Sequence, residues 1–171
     1  LLTGTVADDV APTGLAGGIG DVAGAVTVAG GSVTSLFNSG ADAPLTYALS
    51  LTTIATLSAL NLTSGGAALS YVLVGDTVTA SANGAAVFTF QVSAAGAYTF
   101  TLIDQLDHAT GADENDLLIS LGGIITATDA DGDTVTAAAN GLVITVDDDT
   151  PTASLALLTG TVDEDGVPNG L

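Results

Sequence analysis

The sequence predicts an all-β protein folded as an antiparallel β-sandwich, and three observations carry that expectation. Where apolar residues recur at all, they alternate with polar ones at a period of two, the signature of a strand with one buried face. Short strand-like runs are separated by Gly-, Asn- and Asp-bearing turns, as in sandwiches. The apolar material is Ala, Val, Leu and Ile, with aromatics at only 4% and no Trp. A core is affordable, but it must be assembled from small and β-branched side chains.

The elements follow in order. Strands are expected at Ala25–Val28 and Thr46–Ile54. The stretch TTIATLSALNLTSGG is ambiguous and can hold a short helical turn. YVLVGDTVTASANGAAVF supplies two turns, Gly75-Asp76 and Asn83-Gly84; Asn-Gly is a strong hairpin signal because both residues tolerate positive φ. In AVFTFQVSAAGAYTFTLI, Phe88, Phe90 and Val92 alternate with Thr89 and Gln91, and Tyr98, Phe100 and Leu102 alternate with Thr99 and Thr101. The Ser-Ala-Ala-Gly between them makes this a hairpin with one buried face. Further strands are expected at Leu117–Leu121, Ile124–Thr128, Thr134–Ala138 and Leu142–Val146. Gly122-Gly123 marks a bulge or bend, and Ala139-Asn140-Gly141 a reversal.

Charge is the most informative property. The chain has 19 Asp and Glu, one His, and neither Lys nor Arg, for a formal charge of −19. Each carboxylate must face water, accept neutral hydrogen bonds, or find a cation from solution. Nucleic acid and anionic membrane surfaces are disfavoured partners. No uninterrupted apolar run is long enough for a membrane span, and no basic leader opens the chain. Cysteine is absent, which excludes disulfide bracing. One His, no Cys and no Ser-His-Asp constellation argue against nucleophilic catalysis, so an enzyme is not expected.

LLTGTVADDVAPTGL at residues 1–15 returns as LLTGTVDEDGVPNGL at 157–171, identical at ten of fifteen positions. The chain therefore reads as one sandwich repeat, residues 1–149, followed by a linker and the first strand of a next repeat, residues 150–171. In the linker, VDDDTPT, Pro151 removes a donor and stiffens the chain.

Acids cluster in three places. In TDADGDTV, Asp129, Asp131 and Asp133 alternate around Gly132, so several oxygens can converge on one centre. Calcium takes roughly six to eight oxygens; the loop is not an EF-hand, because its Gly is misplaced and the bidentate Glu is missing. A polar hairpin turn is the plain alternative. If the chain reverses at 139–141, Asp147, Asp148 and Asp149 return to the same end as this loop, and a bridging calcium would relieve the repulsion. The third cluster, IDQLDHATGADENDLL, holds Asp104, Asp107, Asp113, Glu114 and Asp116, with Asp8 and Asp9 able to join it. Counting strands puts it at the end opposite the DADGD loop. His108 lacks the second His or Cys of a zinc site and reads as a turn residue.

AYTFTLIDQLDHATGADENDLLISL, ATDADGDTV, ITVDDDTPTA and LLTGTVDEDGVPNGL together resemble the repeats of giant RTX adhesins, exported by the type I route. The resemblance implies an Ig-like extender module in a bacterial surface adhesin that supports adhesion and biofilm formation. It also implies neighbouring repeats as partners, an extracellular setting, a monomeric module, and Ca2+ at the junctions. The last copy offers Asp163 and Asp165 to such a junction; the first carries Ala7 at the position of Asp163. A calcium-dependent lectin-like module and a surface-layer component are the alternatives.

Overall fold

The computed structural model describes residues 1–12, 14–15, 26–111, 115–153 and 156–162. The strands are β1 (Leu2–Ala7), β2 (Val28–Ser32), β3 (Thr46–Leu49), β4 (Thr63–Ser64), β5 (Ala67–Ala68), β6 (Ser70–Val74), β7 (Thr77–Ala82), β8 (Ala85–Val92), β9 (Ala97–Leu102), β10 (Leu117–Ser120), β11 (Ile125–Thr128), β12 (Thr134–Thr136) and β13 (Leu142–Asp147). One α-helix, α1 (Thr53–Ser58), and three short 3-10 turns interrupt them. The fold is all-β and sandwich-like. A five-stranded antiparallel sheet, in the order β2-β9-β8-β7-β6, forms one layer. The sheets β1-β13-β10 and β12-β11-β3 supply the opposing strands, and β4-β5 is a separate ribbon.

Local chemistry explains the five-stranded sheet. Asn83 and Gly84 both take positive φ, 49° and 85°, and close the β7–β8 hairpin, as that turn requires. The β8–β9 hairpin sets Phe90 opposite Phe100. Its inward residues, with Phe88 stacked on Phe100 at 5.0 Å between ring centroids, form the centre of the core. Val6, Ile119, Ile144 and Val146 meet them from the three-stranded sheet, and Leu57 from α1. Each large side chain buried there contributes roughly 1.5–3 kcal/mol.

Two expected strands are placed differently. The run expected at Ala25–Val28 forms at Val28–Ser32, paired with β9. The run Thr46–Ile54 ends at Leu49. Ser50 Oγ then accepts from the Thr52 N–H and the Ser50 carbonyl from the Thr53 hydroxyl, at 3.1 and 2.7 Å, which turns the chain into α1. Such local side-chain bonds compete with strand pairing.

Two long-range pairings decide where the acidic loops go. First, β1 pairs with β13 in parallel, from Leu2↔Leu142 to Ala7↔Asp147; the sandwich is thus not wholly antiparallel. The chain enters beside Gly141 and leaves beside Ala7, so entry and exit lie at opposite ends of the β1–β13 pair, about 20 Å apart at 3.3 Å per residue. Second, β10 pairs with β13 and β11 with β12 in nearly one register, from Leu117↔Val146 through Ser120↔Val143 to Thr128↔Thr134. Between them, the Leu121 N–H donates to Leu142 O (2.8 Å) and the Ala137 N–H to Ile125 O (3.0 Å). Residues 117–128 and 134–147 are therefore the two kinked arms of one long hairpin. The segment Ala139-Asn140-Gly141 bulges within an arm instead of reversing the chain. Gly122 faces that bulge so closely that a Cβ would sit 2.0 Å from Ala138 O, so only glycine fits.

Candidate functional site

The kinked hairpin separates acids that strand counting had joined. The DADGD loop closes one end of the ladder, while Asp147 stands at the other, next to Ala7. Among the described residues, the carboxylates that come within 4.8 Å of one another as a possible cation site are Asp129, Asp131 and Asp133, without Asp147, Asp148 or Asp149. The expectation that the loop shares an end with its own outgoing linker is overturned, because the 139–141 segment does not turn the chain back. The expectation that the IDQLDHATGADENDLL cluster lies opposite the loop and gathers Asp8 agrees with the structure.

The DADGD loop is built as an Asx turn. Asp129 Oδ1 accepts from the backbone N–H of Gly132 (3.1 Å) and of Asp133 (2.8 Å). Asp131 and Asp133 are exposed, and Gly132 takes φ 103° to let the loop close. Asp129 and Asp131 face each other. Their mutual hydrogen bond is the main cause that holds the Asp129 carboxyl below its ordinary value and pushes Asp131 above it. Three carboxylates on one small loop are the oxygen donors a hard cation takes. The loop borders a shallow groove with Asn38, Ser39 and Leu45.

The exit end has a different construction. Asp8, on the turn after β1, is 3% exposed. Its Oδ2 accepts from the Leu106 N–H at 3.0 Å and lies 3.1 Å from His108 Nε2. The other ring nitrogen, Nδ1, faces the carbonyl of Asn115. That oxygen can only accept, so Nδ1 carries a proton; with Asp8 ionised, Nε2 carries one too and the ring is cationic. Asp148 Oδ1 stands 3.9 Å from Nε2, and Asp148 Oδ2 accepts from the Asn115 N–H at 3.4 Å. Asp149 Oδ2 accepts from the Leu15 N–H at 3.0 Å. Two residues of the outgoing linker are thereby fastened to the body of the domain.

Opposing effects set the charges here. Burial works to lower the His108 pKa, but the hydrogen bonds to Asp8 and Asn115 and the charges of Asp148 and Asp8 outweigh it, and the value lies above the ordinary 6.5. Burial raises the Asp8 pKa above 3.8 despite its bonds to His108 and Leu106. Asp8 Oδ1 and Asp149 Oδ1 are buried without a hydrogen-bond partner among the described residues.

The remaining sequence candidates fall as follows. Asp107 accepts from the Gly66 N–H at 2.8 Å and pins the β4–β5 turn; its bonds, with Thr63 first, hold its pKa below 3.8. Asp104 accepts from the Gln105 N–H at 2.9 Å. Asp147 is buried at the end of β13, Asp9 is half-buried beside Asp8, and Asp116 is exposed before β10. Asp113, Glu114, Asp163 and Asp165 lie outside the described residues. Reading His108 as a turn residue missed its role. The signal was available: the one side chain able to carry positive charge, among 19 acids, has every reason to be enclosed by them. Asn115 carried no such signal, since its part is played by backbone groups.

Fold and site together define an all-β sandwich-like domain with acidic loops at both ends. The family model described as Domain of unknown function (DUF5801) matches residues 9–140, and the chain belongs to that family. The match leaves out β1 and β13, the parallel pair that sets entry and exit. No curated protein and no solved structure matches the chain. Among the described residues, no helix is long and apolar enough to cross a membrane.

Proposed function

We propose that this domain is a spacer module, repeated in tandem in an extracellular bacterial adhesin of the RTX type and stiffened by Ca2+. The observation that carries the reading is the parallel β1–β13 pair. A chain that enters at one end and leaves at the other extends an array with each added unit, whereas an antiparallel first and last strand would fold it back. The repeated hexapeptide agrees. LLTGTV forms β1 at residues 1–6, with Val6 fully buried, yet its copy at 157–162 is unpaired, with Val162 98% exposed. That copy has the sequence to be the first strand of a following unit.

The residues fit calcium in chemistry. Asp129, Asp131 and Asp133 would hold it at the loop, where it would supply the positive charge the chain itself lacks. The orphaned oxygens of Asp8 and Asp149 are a second place where a cation would relieve buried negative charge. In a tandem, each DADGD loop lies on the entry side of its unit, where the linker of the preceding unit arrives. Junction stiffening would then join the loop of one unit to the linker of the one before it.

Small-angle scattering of a two-unit chain tests this. In millimolar calcium the pair should be extended, with a maximum dimension near twice that of one unit; with EDTA it should shorten and broaden. A compact, side-by-side pair in calcium would refute the spacer reading. Equal dimensions with and without calcium, together with an unchanged melting midpoint, would remove calcium from it.

A further inference from the structure

The distribution of charge over the fold marks a lateral contact surface. Among the described strands, the single acidic residue is Asp147, the last residue of β13. The described acids otherwise sit in turns and loops. The domain therefore has neutral side walls between acidic ends. The widest wall is the outer face of the five-stranded sheet. One rank of side chains crosses it as Val72, Thr79, Thr89, Thr101 and Val28, each directly opposite the next. The next rank includes Val74, Thr77, Gln91 and Thr99. Val74 is 73% exposed and Val72 58%. The aromatic side chains of this sheet all point into the core, so the outer face lacks the rings that stack on sugars. One carboxylate stands at its rim: Asp76, in the β6–β7 turn, which accepts from Gln91 Nε2 at 2.9 Å.

We propose that this face is a weak docking surface for a second copy of this chain. The occupant follows from charge. Two chains of −19 repel wherever their loops meet. The centre of the sheet, at Thr89, is about two strand spacings, or roughly 10 Å, from either edge, which is about one Debye length at 0.1 M salt. Two copies facing each other across this wall bring together methyl and hydroxyl groups while keeping their acidic ends at the ends. A two-fold arrangement satisfies both copies with one patch. The size sets the strength. Five strands by roughly five residues present about 300 Å² per copy, well under the roughly 800 Å² per partner of a stable interface. A single domain is therefore a monomer when dilute and associates only near millimolar concentration. This inference rests on the charge layout and not on the calcium reading.

Sedimentation equilibrium and amide chemical shifts, followed from about 20 µM to about 1 mM in millimolar calcium, test it. The expected result is self-association that strengthens with added NaCl, with shifts confined to β7, β8 and β9. Thr89→Asp at the centre should abolish it, and Thr99→Asp, at a more exposed position, should do the same where the first variant folds poorly. Thr3→Asp adds the same charge to the opposite sheet and should leave association intact. A strict monomer at 1 mM in high salt overturns the proposal. So does an equal loss in Thr3→Asp, which would make net charge the cause, or a loss specific to the Asp129→Asn, Asp131→Asn, Asp133→Asn triple variant, which would mean ion bridging between loops.

Discussion

The two acidic ends of this domain use the same side chain in opposite ways. At the exit end, Asp8 is 3% exposed and wired to His108 and to the Leu106 backbone. Its partners come from segments about a hundred residues away in sequence. In the DADGD loop, Asp129 bonds only to backbone groups three and four residues on, and Asp131 and Asp133 are solvated. One end holds the tertiary structure together, with an internal cation; the other is a local turn whose charges await an external one. A carboxylate's role is set by whether its counter-charge is built into the chain.

The sharpest way to break this contrast is Asp8→Ala. It leaves the Leu106 N–H without its acceptor and a buried imidazolium without its carboxylate, and should cost about 3 kcal/mol in urea unfolding, as removal of one partner from a buried pair does. A loss no larger than that of an ordinary surface substitution would mean that the exit end is no more wired than the loop.

Next in size is the pH dependence of the exit end. The folded pKa of His108 lies above 6.5, so its contribution to stability is complete below 6.5 and is lost as pH rises through the folded value. With a single His in the chain, its ring proton resonances titrate without overlap. The midpoint should exceed 6.5 and should fall in Asp8→Asn. A midpoint at or below 6.5 would contradict the bonded geometry.

The smallest effect belongs to the loop. Replacing Asp129, Asp131 and Asp133 together by Asn should leave the urea midpoint in EDTA unresolved from wild type, because these groups are solvated. The same variant should lose whatever increment in melting temperature calcium gives at this loop. A large destabilisation in EDTA would show that the loop, too, is part of the tertiary framework.

Much of this was legible from residues alone. The β8–β9 hairpin follows from the alternation Phe88, Phe90, Val92 against Tyr98, Phe100, Leu102, and the β7–β8 turn from Asn83-Gly84. The acids and the want of a cation are matters of composition. These are local or additive properties, and a chain cannot hide them. Three things were decided only by the tertiary structure. Ala139-Asn140-Gly141 has the chemistry of a hairpin turn, yet it bulges in one arm, because β10 and β11 hold both sides of it in nearly one register. The parallel pairing of residues 2–7 with 142–147 has no local signature, since each strand reads the same whichever partner it finds. It is this pairing that carries Asp147, Asp148 and Asp149 to Asp8 and His108 and away from the DADGD loop. Sequence fixes what each segment can be, through the period of its side chains and the dihedral freedom of its turns. Which segments meet depends on burying all their apolar faces at once, and that solution exists only for the whole domain.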